Sequence, residues 1–171
     1  QEAYQAHKEA LSSVGVIYSR ADSIITGDKV EVKIDDDPNL DTTAFNDGKS
    51  IVFNASLLED IDDNTIVSLH GFNYHEVGHI QYTPRANSEL GQWVIQNKYK
   101  RCLNILEDSR IERLLVAKYP ATQPFLEAST LEYILKGDSS EWASLFILIT
   151  GRKYLDIISD KKLLHASPQT S

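Results

Sequence analysis

The sequence predicts an α+β domain. Three observations carry that expectation: a β-prone stretch over residues 29–53 centred on Asp47-Gly48, a helical pattern before it, and only helical patterns from residue 65 onward. Strands grouped ahead of a run of helices segregate a small sheet from a helical part. The 171 residues, 42% hydrophobic and 25% charged, are enough for one domain over residues 1–171 with a sizeable core.

The first 25 residues carry apolar positions at Ala3, Leu11, Val14 and Ile17 or Tyr18, a helical spacing with a break expected near Gly15. Gly27-Asp28 ends that pattern. Lys29-Val30-Glu31-Val32-Lys33-Ile34 alternates polar and apolar residues, as a half-buried strand does. Thr42-Thr43-Ala44-Phe45 and Ser50-Ile51-Val52-Phe53 form the arms of a hairpin, because the Asp-Gly between them supplies the positive φ that a tight turn needs. Asp62-Asp63-Asn64 offers N-caps for a helix from about Thr65 to Tyr82, ending before Pro84. A second long helix is expected from Asn87 or Ser88 to Tyr119, stopped by Pro120, with further helices broken at Gly137-Asp138-Ser139.

Composition removes several function classes. The net charge of −8, without a Lys/Arg-rich run, argues against a nucleic-acid partner. No apolar stretch reaches membrane-spanning length, the longest being Ala143 to Thr150, so no membrane partner is expected. A single cysteine, Cys102, excludes an internal disulfide; it reads as a buried thiol in a reducing, cytoplasmic setting. The chain opens at Gln1 and ends in a polar run over residues 165–171. The expectation is a piece of a longer chain, joined to an additional domain or partner protein.

The chemistry is concentrated in His75-Glu76-Val77-Gly78-His79. Two imidazoles four residues apart, about 40° around a helix, lie on one face and can grip one metal ion. That face is about 125° from the apolar stripe of Ile66, Leu69 and Ile80. Glu76 falls between the two faces, placed to take a proton from water held at such an ion. This is the H-E-x-x-H arrangement of zinc peptidases. Gly78 removes a side chain where another backbone can approach.

A zinc site needs a third protein ligand. No histidine follows in Ile80-Gln81-Tyr82-Thr83-Pro84-Arg85, so the candidates lie in residues 104–112. Glu107 projects among Leu103, Ile111 and Leu114, an apolar face where an ionised carboxylate is costly unless a cation meets it. A metal is one such cation, and Arg110 at i+3 is another. Asp108 is the second candidate ligand, or alternatively the group that orients a ligand imidazole.

The HExxH run followed by Glu107 resembles the gluzincin branch of the zincin metallopeptidases, over roughly residues 42–115. The run 106–112 is also similar to zincin-like domains associated with von Willebrand A modules in bacterial and phage proteins. The resemblance implies a zincin-like fold with a hairpin edge strand packed on the HExxH helix, and Zn²⁺ held by His75, His79 and Glu107. It implies Glu76 as general base and then general acid in hydrolysis of a peptide or protein substrate. It also implies a substrate strand laid along Ser50–Ala55. The position four after Glu107, where that family has an Asp backing a ligand histidine, is Ile111. Among Tyr74, Tyr82, Tyr99 and Tyr133, Tyr82 lies one turn beyond His79 and is the candidate to hold the developing oxyanion.

His70 is out of phase with His75 and reads as a surface or core residue; His7 and His165 carry no pattern. Residues 35–41 lack the Gly and Glu of a calcium loop and read as a solvated acidic turn. Two other readings stand beside the peptidase: a catalytically silent peptide- or protein-binding module, and a structural metal site closed by a fourth ligand such as Asp108.

Overall fold

The computed structural model describes residues 2–35, 37, 39, 42–57, 62–136 and 149–152. The break expected at residues 137–139 and the polar C-terminal run lie outside the described residues. So do most of the apolar stretch 143–150 and four positions of the acidic turn. Among the described residues the architecture is α+β, a set of helices and a three-stranded mixed sheet. No described helix is long and apolar enough to cross a membrane.

Helix α1 (Glu2–Thr26) is continuous, against the break expected at Gly15. A Cβ at Gly15 would sit 3.6 Å from Val32 Cγ1 and from Val32 O, so the glycine marks where the sheet lies against the helix. Strand β1 (Glu31–Asp35) buries only Val32 and Ile34 in part, the alternation its sequence predicts. Strands β2 (Ala44–Asn46) and β3 (Ser50–Asn54) form the expected antiparallel hairpin. Gly48 has φ of 89°, and Asp47 Oδ1 accepts from the N–H groups of Lys49 at 2.9 Å and Ser50 at 2.7 Å.

The sheet order is β1-β3-β2, with β1 parallel to β3. The edge strands are therefore β1 and β2; β2 is the edge arm of the hairpin, and the expected edge at Ser50–Ala55 is instead the central strand. Hydrogen bonding on both sides makes β3 the central strand; all five residues are buried, and its middle three, Ile51-Val52-Phe53, are apolar without alternation.

Helix α2 (Asp63–Tyr82) starts at Asp62, whose Oδ1 accepts from Thr65 N at 2.7 Å, and stops at Thr83 before Pro84. A side chain at Gly71 would run into Phe125 O and Ser129, and one at Gly78 would meet Ile111. These glycines set how closely α2 packs. The expected second long helix is two: α3 (Glu89–Gln96) and α4 (Lys100–Lys118), separated by a turn in which Lys98 has φ of 60°. No Gly or Pro announces that break. Helix α5 (Gln123–Lys136) packs against α2.

Leu11, Tyr18, Val30, Ile51, Phe53, Leu69, Val77, Leu115 and Leu126 form one buried core joining sheet and helices. His70 is a core residue, its ring 4.8 Å from Tyr18 and 4.9 Å from Phe125, and burial lowers its pKa. Cys102 is exposed rather than buried; it lies on the outer side of α4, as does Leu106.

Candidate metal centre

The two imidazoles of α2 converge as their spacing predicts. His75 Nε2 and His79 Nε2 are 3.2 Å apart, with the rings at 81°. Each ring is held from behind. His75 Nδ1 donates to Glu112 Oε1 at 2.7 Å, because a carboxylate only accepts, and His79 Nδ1 lies 2.8 Å from Thr83 Oγ1. Both Nε2 atoms thus face a common point.

The carboxylate brought to that point is Asp108, not Glu107. Asp108 Oδ1 is 3.2 Å from His79 Nε2 and 3.9 Å from His75 Nε2. Glu107 is buried, but Arg110 meets it through Nε at 2.8 Å and through Nη2, while Arg110 Nη2 also donates to Tyr82 O at 2.7 Å. Burial was legible in the apolar flanks of Glu107. The cation that satisfies it is the arginine one turn on, and the pair pins the end of α2 to α4.

One residue later in the helix, Asp108 and Glu112 reproduce the i, i+4 pairing that Glu107 and Ile111 lack. Ile111 instead fills the space beside Gly78. Glu112 is 2% exposed and clamped by Arg152, with Nε to Oε2 at 2.7 Å and Nη2 to Oε1 at 2.6 Å. Burial pushes the Glu112 carboxyl up, but the charge of Arg152 and the His75 bond outweigh it and hold it below its ordinary value. Burial likewise pulls His75 down, and the Glu112 bond and charge, with Glu76 and Asp108, raise it instead.

Glu76 is buried beside this cluster, and its Oε2 accepts from Asn46 Nδ2 at 2.5 Å. Asn46 Oδ1 accepts from Gly48 N at 3.1 Å, so the hairpin turn aims the amide at Glu76. A cleft of 1090 Å³ contains His75, Glu76, His79, Asp108, Asn46 and the free side of β2. Tyr82 is not among its lining residues; its ring packs against the core. Tyr74 stacks with His70, and Tyr99 with Trp93, while the Tyr133 side chain lies outside what is described. Sequence reasoning missed Asn46, Thr83, Glu112 as the His75 partner, and Arg152. The Lys100-Asn104-Asp108-Glu112 spacing, one polar residue per turn of α4, was the available signal for Glu112.

His75, His79 and Asp108 can hold a metal ion, since one donor atom from each lies within 4.8 Å of the others. The donor set tests well. Asp108 Oδ1 is buried and accepts no hydrogen bond among the described residues, although an unsatisfied carboxylate oxygen is costly. Two imidazole nitrogens face it, so the cluster fits a cation at its centre. Among the described residues no fourth His, Cys, Asp or Glu joins the group. No protein-family model, curated protein or solved structure matches this chain.

Proposed function

We propose that this chain is a zinc-dependent peptidase of zincin-like design, with His75, His79 and Asp108 as ligands and Glu76 as the proton carrier. The observation that carries the reading is the convergence of two Nε2 atoms and the orphaned Asp108 oxygen beside a buried glutamate. Zinc bonds of about 2.1 Å at tetrahedral angles separate ligand atoms by about 3.4 Å. The donor separations of 3.2, 3.2 and 3.9 Å bracket that value. Three protein donors leave a coordination position free, as catalytic rather than structural zinc sites do.

Bound there, zinc would supply Lewis acidity, easing the loss of a proton from the attacking water and polarising the carbonyl. Glu76 takes a proton from the attacking water and passes it to the amine nitrogen as the C–N bond breaks. Asn46 occupies one Glu76 oxygen, leaving the other to handle the proton. Glu112, held by Arg152, keeps the His75 N–H pointed away from the metal position.

Antiparallel alternation turns the backbone groups of Ala44 and Asn46 away from β3, toward the cleft. An extended peptide adds to the sheet along that edge. The Ala44 carbonyl already accepts from Thr42 Oγ1 at 2.9 Å, which restricts pairing there.

The test is Glu76→Gln in zinc-loaded protein given unfolded casein. Zinc content should stay near one per chain while turnover falls about 10²- to 10⁴-fold, the usual contribution of a general base. Undiminished turnover would sink the mechanism. Peptide binding by the metal-loaded wild type without cleavage would move the reading to a binding module.

A further inference from the structure

Lys100, Asn104, Asp108 and Glu112 recur at every fourth residue of α4, and all four line the cleft. The stripe runs outward from Asp108 to the first residue of the helix, about 12 Å along its axis. Arg85, in the segment after Thr83, lines the same cleft. Its backbone is pinned: the Arg85 carbonyl accepts from Ser88 N at 2.8 Å and Ser88 Oγ at 2.6 Å, and a side chain at Gly91 would collide with it.

Arg85 and Lys100 are both exposed, and among the described residues neither forms an ion pair. Lys100 also works against its own helix, since a cation on the first turn opposes the helix dipole. The α4 first turn contains no acid, and its N-cap makes no side-chain bond. Two further exposed cations line the cleft, Lys29 next to Asp28 and Lys49 near Asp47 in the chain. In a chain of net charge −8, Arg85 and Lys100 line the same cleft as the His75-His79-Asp108 group.

We propose that Arg85 and Lys100 recognise an acidic side chain of the bound peptide, so that acidic peptides are the substrate class. This rests on the peptidase reading. An extended strand advances about 3.3 Å per residue. With long side chains reaching inward, the stripe places the recognised acid about two to four residues from the bond cut.

Zinc-loaded Glu76→Gln protein, which binds without turnover, is titrated with labelled Ala/Thr peptides that differ only in carrying Asp pairs or Lys pairs. The Asp peptide should bind at least about tenfold more tightly, with the preference shrinking as salt is raised. The preference should vanish in Arg85→Gln/Lys100→Gln and invert in Arg85→Glu/Lys100→Glu. Both residues are exposed, so these variants should melt as the parent does, and the salt dependence of the parent provides a check independent of them. Equal binding, no binding of either peptide, or a preference that survives the substitutions overturns the proposal. Mapped casein cleavage by the wild type separates the two ideas. Cleavage without acids near the cut removes the recognition site and leaves the peptidase, whereas acid-selective binding without any cleavage does the reverse.

Discussion

Helix α2 meets buried acids on two sides and treats them differently. Toward α4, Glu107 is opposed by Arg110, and Glu112 by Arg152 and the His75 ring. Toward α1, Asp22 is just as buried but among the described residues its carboxylate meets only the Asn73 amide, 2.8 Å away. There Asp22 Oδ2, Asn73 Oδ1 and Tyr18 Oη have no hydrogen-bond partner among the described residues. Burial pushes the Asp22 carboxyl up to about 7, against the pull of the Asn73 bond, while the Glu112 carboxyl goes down. Depth is the same on both sides; what differs is whether a positive group was buried with the acid. The exception on the α4 side is Asp108 Oδ1, the oxygen that faces the two imidazoles in the proposed metal site.

The strongest way to break the contrast is to remove the cation from the satisfied side. Arg152→Ala leaves Glu112 buried without its guanidinium and should cost about 3–5 kcal/mol. Urea unfolding of the metal-free protein measures it, and a loss under about 1 kcal/mol would mean the pair is not holding the site. Next in size is a comparison of adjacent carboxylates. Asp108→Asn should weaken zinc binding by about 100-fold or more, some 2.7 kcal/mol, while Glu107→Gln leaves zinc affinity near wild type. Competition against a fluorescent chelator reads both, and equal effects would undo the assignment of Asp108.

The smallest expected effect belongs to Asp22. Its folded pKa lies above its unfolded one, so its contribution is fully present below about pH 4 and is lost as pH rises toward 7. Asp22→Asn should therefore stabilise the protein by about 1–3 kcal/mol at pH 8 and by little at pH 4. Thermal melts across that range check the sign; a variant equally destabilised at both pH values would show that the carboxyl is not neutral when folded.

Much of the arrangement was legible because it is local. The HExxH spacing, the Asp-Gly turn and the Asp62 cap each act within a few residues, and each appears in place. What escaped was decided between distant segments. Periodicity showed that Glu107 is buried, but a helical face says nothing about what meets it, and Arg110 does so rather than the imidazoles. The edge strand depended on β1 pairing parallel with β3, which no turn signal announces. The break at Lys98 uses a left-handed residue without glycine. Arg152 reaches Glu112 from forty positions away, and nothing near either residue predicts it.

That distance has a consequence in time. The links that complete the centre, Asn46 to Glu76, His75 to Glu112 and Glu112 to Arg152, span 30, 37 and 40 positions. Closing such loops is entropically opposed until the elements between them have docked, so the centre belongs to the late events of folding. A nascent or partly refolded chain would carry the HExxH helix before it carried Asp108, the hairpin amide and Arg152 in position. On the proposed reading, tight capture of a metal ion would report that these distant segments have closed around the centre.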